Sequence, residues 1–289
     1  MKSISYRGKK VAWPAVSTLV VFLSALACGL PSQPTATLPP PAVQVTPTMP
    51  VMEPTSTPAP DVTYEGTRFS YDEALASDVL GERVPAEEFM GGDTIPAHVR
   101  FNFNGYVPGE TFHEPRIYVY PVGEFEASSA GAADIIARQR QFLADRPEIA
   151  PGEGFGSIGI PFLPLFNAGQ MMRAHVAYLD FQNGTGVRFL TQYAQAFVPI
   201  NNEELFYTFQ GLTDDGNFYV AAVLPVSNPI LPADGLAVPG GDYEAFANTF
   251  ETYIGDIEQQ LDAQDPSSFT PDLLLLDAMI ESLEVGPGT

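Results

Sequence analysis

The chain has 289 residues, with 35 Asp or Glu against 13 Lys or Arg and a formal net charge of -22 at pH 7. Four of the basic residues lie within the first ten positions, and no lysine follows Lys10. The rest of the chain therefore has nine arginines against 35 carboxylates, a balance that repels the phosphates of nucleic acids. This composition excludes nucleic-acid binding, and it favours an acidic surface that serves solubility over one that binds cations.

The first 27 residues have the layout of an export signal, with a basic start followed by an apolar run over 11–27. Cys28, the only cysteine of the chain, comes directly after that run. The sequence LSALACG at 23–29 resembles the lipobox of bacterial lipoproteins. The resemblance implies that the signal is cut before Cys28 and that its thiol receives a diacylglyceryl group. It places the protein outside the cytoplasm, anchored to a bacterial cell membrane by lipid.

Two other interpretations of the N-terminus stay open. An ordinary signal peptide, cut at the A-x-A motif of 25–27, would leave a free thiol on Cys28. An uncleaved membrane anchor is disfavoured, because an apolar run of about 17 residues is short for a spanning helix. All three interpretations predict that the domain is exported.

Residues 28–60 are predicted to be a disordered stalk. The segment 31–60 contains ten prolines, six threonines, one charged residue and no aromatic residue. Such a composition cannot bury a core and favours the extended polyproline II conformation. At about 3.1 Å per residue it would hold the following domain up to about 90 Å from the membrane.

The remaining residues, 61–289, are predicted to form a single globular domain that has no cysteine and hence no disulfide. Alternation of apolar and polar residues predicts strands in its first part, at 64–71, 98–104 and 116–122, of which the last two are expected to pair antiparallel. The segment 72–79 is expected to be a helical turn or irregular. Apolar residues spaced by three and four from Ala130 onward predict an amphipathic helix that ends before Pro147.

The most regular pattern of the domain lies over 170–227, where strand-like segments alternate with turn sequences. The predicted strands are 172–181, 187–196, 204–212 and 217–226. Asn183-Gly184 and Asp215-Gly216 lie between them and are expected to supply the positive φ values that tight hairpins require. A four-stranded antiparallel meander is therefore predicted.

Two helices are predicted after the meander, a long one over 243–261 and a last one that begins at Asp272. The order of elements predicts an α+β fold, in which an antiparallel sheet of six to seven strands is covered by helices. The opening GTRFSY at 66–71 and the closing LDAMIESLEV at 276–285 are similar to the first and last motifs of the PsbP/Mog1-type fold. That resemblance implies a sheet between helices and a binding or assembly function. The chain also resembles a family of bacterial envelope lipoproteins with Pro/Thr-rich stalks, which implies no activity.

The side chains of the domain suggest no catalytic centre. His98, His113 and His175 do not lie at metal-ligand spacing, so neither a metal nor a cofactor is predicted. No serine or cysteine lies in a nucleophile motif. Arg173 and His175 alternate onto one face of a predicted strand and are the candidate ligand-binding residues, as the lining of a small anionic pocket. A structural pairing with a neighbouring carboxylate is the favoured alternative for both.

These observations predict a non-enzymatic lipoprotein whose domain binds a protein partner of the cell envelope or assists assembly. An exposed row of tyrosines on the meander would be the best interaction face. A module that captures a small molecule or glycan in a pocket between sheet and helices is the second hypothesis. A hydrolase with two acidic residues in one cleft is the third, and the chain contains no motif that favours it. The sequence does not indicate an oligomeric state.

Overall fold

A seven-stranded antiparallel sheet forms the centre of the domain, and the computed structural model describes residues 61–89, 92–109, 111–150 and 159–288. In chain order the strands are β1 (Val62–Tyr64), β2 (Thr67–Phe69), β3 (Asp78–Val84), β4 (Glu87–Glu88), β5 (Thr94–Ile95), β6 (His98–Asn104), β7 (Arg116–Pro121), β8 (Gly169–Gln170), β9 (Ala174–Phe181), β10 (Gly184–Thr191), β11 (Tyr193–Ala194), β12 (Phe206–Thr213), β13 (Phe218–Pro225) and β14 (Glu284–Val285). The helices are α1 (Val122–Ser128), α2 (Ala130–Asp145), α3 (Tyr243–Asn248), α4 (Phe250–Asp262) and α5 (Leu273–Glu281). The sheet and its helices confirm the α+β class.

The order of strands across the large sheet is β3-β6-β7-β13-β12-β10-β9. The last four strands of this order follow one another along the chain, with only the two-residue β11 between β10 and β12, so the predicted meander is confirmed. The predicted antiparallel pair is also confirmed, with Val99 of β6 opposite Val119 of β7. Pairing of β7 with β13 joins this pair to the meander.

The sheet buries both of its faces, because successive residues of its central strands enter different core clusters. In β13, Val220 and Leu224 belong to the cluster that includes α4 and α5, whereas Tyr219 and Ala221 pack with Ile136 of α2. Helix α2 lies over β10 and β12, and helices α4 and α5 lie against β9. Helices therefore cover both faces, as the period-two alternation of side chains along a strand allows.

Side-chain caps fix the beginnings of α2, α3 and α5. The Ser129 hydroxyl accepts a hydrogen bond from the Ala132 N–H at 3.0 Å at the start of α2. The Asp272 carboxylate accepts one from the Leu274 N–H at 2.9 Å at the start of α5. Such caps satisfy N–H groups that have no partner within the helix. Helix α2 ends where Arg146 adopts the left-handed conformation, with φ of 43°.

Two predictions for the start of the domain are wrong. The predicted strand 64–71 is a hairpin of β1 and β2, because Glu65 and Gly66 adopt φ values of 41° and 78° and turn the chain. The segment 72–79 was expected to lack a strand, but β3 begins within it at Asp78. This strand lies at the edge of the sheet and buries little of its length, so its sequence shows no clear alternation.

The helical predictions need two corrections. The predicted helix over 243–261 is divided into α3 and α4 at Thr249, whose φ of -112° and ψ of 8° are not helical. The apolar spacing continues across this break, so the pattern alone indicates a single helix. The predicted strand 116–122 ends one residue early, and the unpredicted helix α1 follows at once.

Gly184 of the meander is required because a larger residue would clash with its neighbours, and not because its backbone has a positive φ. Gly184 was expected to have a positive φ, but it begins β10 and pairs with Phe181. A Cβ atom at Gly184 would lie 2.2 Å from Cζ of Phe181, closer than packed atoms approach. Gly216 does have the predicted positive φ, of 70°.

The predicted signal peptide 1–27, the lipidation site Cys28 and the stalk 28–60 lie outside the described residues. The described core residues run from Val62 to Val285 and form three clusters within one compact unit. Residues 61–289 therefore contain a hydrophobic core of their own. In the described part of the chain, no helix combines the length and the hydropathy that crossing a bilayer requires.

Candidate functional site

A cleft lies at the end of the sheet where β7 and β12 begin and β10 ends. Three connecting segments form it, at 111–115, 160–170 and 192–204. Its volume is about 580 Å³, and a more open groove of about 870 Å³ continues from it toward Tyr243. The side chains that give the cleft its chemistry are Phe112, His113, Phe166, Tyr193, Gln195 and Glu204.

Aromatic rings form the walls of this cleft. The His113 ring is stacked on Phe166, with centroids 5.3 Å apart and planes 7° apart, and lies steeply inclined to Phe206 at 4.6 Å. Tyr193 packs edge-on against Phe166 at 5.3 Å. Ring pairs of this geometry contribute about 0.5–1.5 kcal/mol each beyond their buried area. Phe112 differs from the others because it is 67% exposed.

Hydrogen bonds between the loops hold the cleft in shape. The Phe112 N–H donates to the carbonyl oxygen of Glu203 at 2.8 Å and ties the first loop to the third. The Gln195 side-chain amide donates to the carbonyl oxygen of Asn167 at 2.5 Å and ties the third loop to the second. The short strands β8 and β11, which lie in the second and third loops, also pair with each other. The cleft is therefore a formed feature of the fold.

His113 is the titratable group of the aromatic wall. Its Nε2 is buried and has no hydrogen-bond partner among the residues that the structure describes. Burial in apolar surroundings disfavours the imidazolium and lowers the pKa of His113 to about 4, so the ring is neutral at pH 7. A buried polar atom without a partner costs about 1–3 kcal/mol. Most buried polar atoms have a hydrogen-bond partner, so each one without a partner calls for an explanation. A functional site is one such explanation, because local stability is often lower there.

Glu204 is the carboxylate of the cleft, and two buried amides fix its position. Its Oε2 accepts hydrogen bonds from the side-chain amides of Gln192 at 2.8 Å and Asn201 at 2.9 Å. Both amides belong to residues with no exposed surface. Its Oε1 has no hydrogen-bond partner among the described residues. The chain therefore builds a carboxylate of fixed orientation into an otherwise apolar cleft.

Arg173 and His175, the candidate ligand-binding residues from the sequence, lie away from this cleft and do not share a cavity in the described structure. Arg173 is buried, and its N–H donates to Glu258 of α4 at 2.9 Å. It lines a shallow cavity beside Phe142 of α2, and His175 does not line it.

A β-bulge at the start of β9 explains why Arg173 and His175 were wrongly predicted to lie on one face of a strand. In the pairing of β9 with β10, Ala174 lies opposite Leu190 and Ala177 lies opposite Arg188. Two residues of β9, His175 and Val176, therefore face the single residue between those two on β10. The extra residue breaks the period-two alternation, so residues 173 and 175 need not share a face.

His175 belongs to a buried cluster that joins the meander to the C-terminal helices. Its Nε2–H donates to the carbonyl oxygen of Leu261 at 2.8 Å, and its own carbonyl oxygen accepts a hydrogen bond from Arg188. Arg188 Nε lies 3.2 Å from Asp277 Oδ1, and the Tyr207 hydroxyl donates to the same oxygen at 2.9 Å. Burial lowers the pKa of His175, so this ring too is neutral at pH 7.

The cleft residues could not be recognised as a group in the sequence. His113 was considered for metal binding alone, Phe166 fell in a segment without a motif, and Tyr193 and Glu204 were assigned to strands of the predicted meander. The row of exposed tyrosines sought on the meander is not found among its described strands, because Tyr207 and Tyr219 are fully buried. One feature of the sequence could have indicated the cleft. Phe112 and His113 are adjacent aromatic residues in a segment rich in glycine and proline, outside any predicted strand.

Comparison with protein-family models, with curated proteins and with solved structures found no match to this chain. Among the described residues, no group of three or more His, Cys, Asp or Glu side chains is placed to hold a metal ion.

Proposed function

We propose that the protein is a lipid-anchored, extracytoplasmic binding module that captures a small ligand with an apolar body in the cleft at the end of its sheet. The observation that carries this proposal is the aromatic cleft itself, about 580 Å³ in volume and lined by Phe112, Phe166 and Tyr193. Ligand sites are commonly concave and mostly apolar, with a few fixed polar groups. Glu204 and the amide of Gln195 supply such groups here.

The N-terminal sequence supports the cellular part of the proposal. A lipid on Cys28 and a stalk over 28–60 would hold the domain outside the membrane, with the cleft in the extracytoplasmic space. Two or more acyl chains give stable anchoring, and a diacylglyceryl group provides two. A substitution Cys28→Ala is expected to move the protein from the membrane fraction to the soluble fraction and to abolish labelling by a palmitate analogue. Unchanged labelling would contradict lipidation at this residue.

The composition of the cleft supports binding without catalysis. The third hypothesis, a hydrolase, requires two carboxylates in one cleft. Glu204 is the one carboxylate among the described residues that line this cleft. His113 contacts aromatic rings and has no carboxylate or hydroxyl partner among the described residues, so it lacks the partners of a general base.

The test is a ligand-observed NMR screen of residues 61–289 with aromatic fragments of positive, zero and negative charge. Fragments that bind the cleft are expected to lose binding when Phe112→Ala removes its exposed ring. Leu274→Ala is the matched control, because Leu274 is 54% exposed on α5 and does not line the cleft. If no fragment shows binding that depends on Phe112, the small-ligand proposal fails.

A protein-binding or assembly module is the second candidate function. Leu236 is 90% exposed and Tyr243 is 52% exposed, and both lie near the cleft. Gly235 lies beside Asn201 and Val198, and Tyr243 lines the groove that continues from the cleft. Exposed apolar side chains that extend a cleft are typical of partner surfaces.

Crosslinking in the intact cell envelope distinguishes the two candidates. A photoreactive residue at position 236 is expected to capture a defined protein if the partner surface is used, and one at position 274 is expected to capture none. Capture from position 236 with no fragment binding in the cleft would favour the protein-binding function. Fragment binding without capture would favour the small-ligand function.

A further inference from the structure

The charge around the cleft restricts its ligand. Residues 61–289 contain nine arginines, three histidines and no lysine, against 34 acidic residues. Eight of the arginines form ion pairs with carboxylates, and the ninth, Arg173, is buried beside α4. Burial lowers the pKa of each histidine. The positions of the domain that the structure does not describe contain no Lys, Arg or His: 90, 91, 110, 151–158 and 289.

Among the described residues, no positively charged side chain lines the cleft, so an anionic ligand would find no ion-pair partner there. Arg138 lies with Phe166 and Tyr193 in a neighbouring cavity of about 250 Å³. Its guanidinium is engaged by the carbonyl oxygen of Gly159 at 2.8 Å and by Asp134 at 3.8 Å. The lining of the cleft and the net charge of the domain both favour a cation.

Glu204 supplies a specific contact for such a cation. Two buried amides hold its Oε2, which leaves Oε1 as an acceptor without a partner among the described residues. An N–H group of a protonated amine is the donor that matches this oxygen, and a charge-assisted hydrogen bond is about twice as strong as a neutral one. The faces of Phe and Tyr rings attract cations as well.

We propose that the cleft binds an organic ammonium ion: a protonated amine that donates to Glu204 Oε1 and carries an aromatic or branched apolar body, which packs against Phe112, Phe166 and Tyr193. This inference rests on the proposed function, because it names the ligand class of the same cleft. The neutral state of the His113 ring is compatible with a cation, since an imidazolium would repel it.

The first test compares three ligands of similar shape and different charge on residues 61–289. These are 2-phenylethylamine, 2-phenylethanol and 3-phenylpropanoate, with dissociation constants measured by NMR titration at pH 7. The amine is expected to bind about tenfold more tightly than the alcohol, which corresponds to one favourable charged contact, and the acid is expected to bind most weakly. Equal affinity of alcohol and amine would overturn the ammonium inference and leave the proposed function standing. Failure of all three ligands and of every fragment in the wider screen would remove both.

The second test uses two neighbouring glutamates. Glu204→Gln keeps an oxygen acceptor for the amides of Gln192 and Asn201 but removes the charge, so we expect the amine to lose about tenfold in affinity and the alcohol to change little. Glu203→Gln removes the same charge one residue away, from an exposed side chain that does not line the cleft. Equal losses in the two variants would overturn the specific contact and indicate a general effect of acidity.

A blocked Phe-Lys dipeptide, titrated in parallel, distinguishes the source of the ammonium group. Tighter binding of the dipeptide than of 2-phenylethylamine, with the same dependence on Glu204, would assign the cleft to a lysine side chain of a polypeptide. Tighter binding of the free amine would assign it to a small molecule. A dipeptide that binds equally well to the Glu204→Gln variant would contradict the contact.

Discussion

His175 and His113 both lie against aromatic rings and both have lowered pKa values, but their ring nitrogens differ in what they contact. His175 Nε2–H donates to the Leu261 carbonyl oxygen, and the surrounding charges of Arg188 and Asp277 are paired. His113 Nε2 has no partner among the described residues. In the first region, hydrogen bonds and an ion pair join the meander to α4 and α5, although Arg188 Nε, 3.2 Å from Asp277, makes no hydrogen bond of good geometry. In the second region, His113 Nε2 contacts no polar group among the described residues and lies beside a cleft.

This difference separates a structural cluster from a binding site. A buried polar network stabilises a fold when its members satisfy one another, and a ligand has nothing to add to it. A cleft whose wall contains the buried nitrogen of His113, unpartnered among the described residues, gives up stability there, and the second carboxylate oxygen of the half-buried Glu204 is left available to a ligand. The sequence pattern indicated Arg173 and His175 as ligand-binding residues, whereas the structure indicates the cleft that contains His113 and Glu204.

The largest effect is expected from breaking the structural cluster with Asp277→Ala. The substitution leaves the Arg188 charge buried without its partner and the Tyr207 hydroxyl without its acceptor. We expect a loss of about 3–5 kcal/mol in the free energy of unfolding, measured by urea denaturation. Asp180→Asn is the control, because its ion pair with Arg146 is exposed and is worth at most about 1 kcal/mol. A loss below 1 kcal/mol for Asp277→Ala would contradict the structural role.

The second effect is a pH dependence of stability that arises from His113. Its pKa is about 4 in the folded state and about 6.5 in the unfolded state. Between these values the unfolded chain binds a proton that the folded chain does not, so stability falls as the pH is lowered from 6.5 to 4. The full loss is about 3 kcal/mol, and below pH 4 no further loss comes from this residue.

The comparison of wild type with His113→Phe isolates this contribution, because the carboxylates titrate in both proteins. We expect the difference in the free energy of unfolding to grow by about 2–3 kcal/mol in favour of the variant between pH 7 and pH 4.5. Urea denaturation at the two pH values measures it. A constant difference would show that His113 has the same pKa in the folded and unfolded states, as an imidazole exposed to water does.

Local patterns account for the part of the fold that the sequence predicts. The meander follows from alternation and from hairpin residues such as Gly216, and helices α2 and α5 follow from apolar spacing and a cap at Asp272. The failures arise where tertiary contacts override a local pattern. Strand β3 is held by its pairing at the edge of the sheet, and the bulge at His175 is set by the register with β10.

The cleft was beyond prediction for a different reason. Phe112, Phe166, Tyr193 and Glu204 lie on three separate loops, and only the folded sheet brings them together. No spacing rule links such residues, whereas catalytic and metal motifs are recognised by spacing. The sequence predicts that the domain is acidic. It does not predict that the cleft has no cationic side chain, because that depends on where the fold places each of the nine arginines.

The third effect is a gain in stability at neutral pH. His113→Phe removes the unpartnered nitrogen and keeps a planar ring against Phe166, so we expect the free energy of unfolding to rise by about 1 kcal/mol at pH 7. His98→Phe is the matched control, because His98 is also buried but its Nδ1 donates to the Pro96 carbonyl oxygen at 2.9 Å. The control is expected to lose stability. If His113→Phe loses stability as His98→Phe does, the His113 ring makes a stabilising polar contact. His113 and His175 would then no longer differ in whether Nε2 has a partner.

The smallest effect on stability is expected at the residue with the largest effect on binding. Phe112 is 67% exposed, so Phe112→Ala is expected to change the free energy of unfolding by less than about 0.5 kcal/mol. Phe206→Ala, in the fully buried wall behind the cleft, is expected to cost about 3–5 kcal/mol. Thermal and urea denaturation of the two variants, compared with their affinities for 2-phenylethylamine, separate the two roles. A Phe112 ring that proves essential for folding would place it in the core of the domain, and the cleft would then lose the exposed aromatic surface on which ligand capture depends.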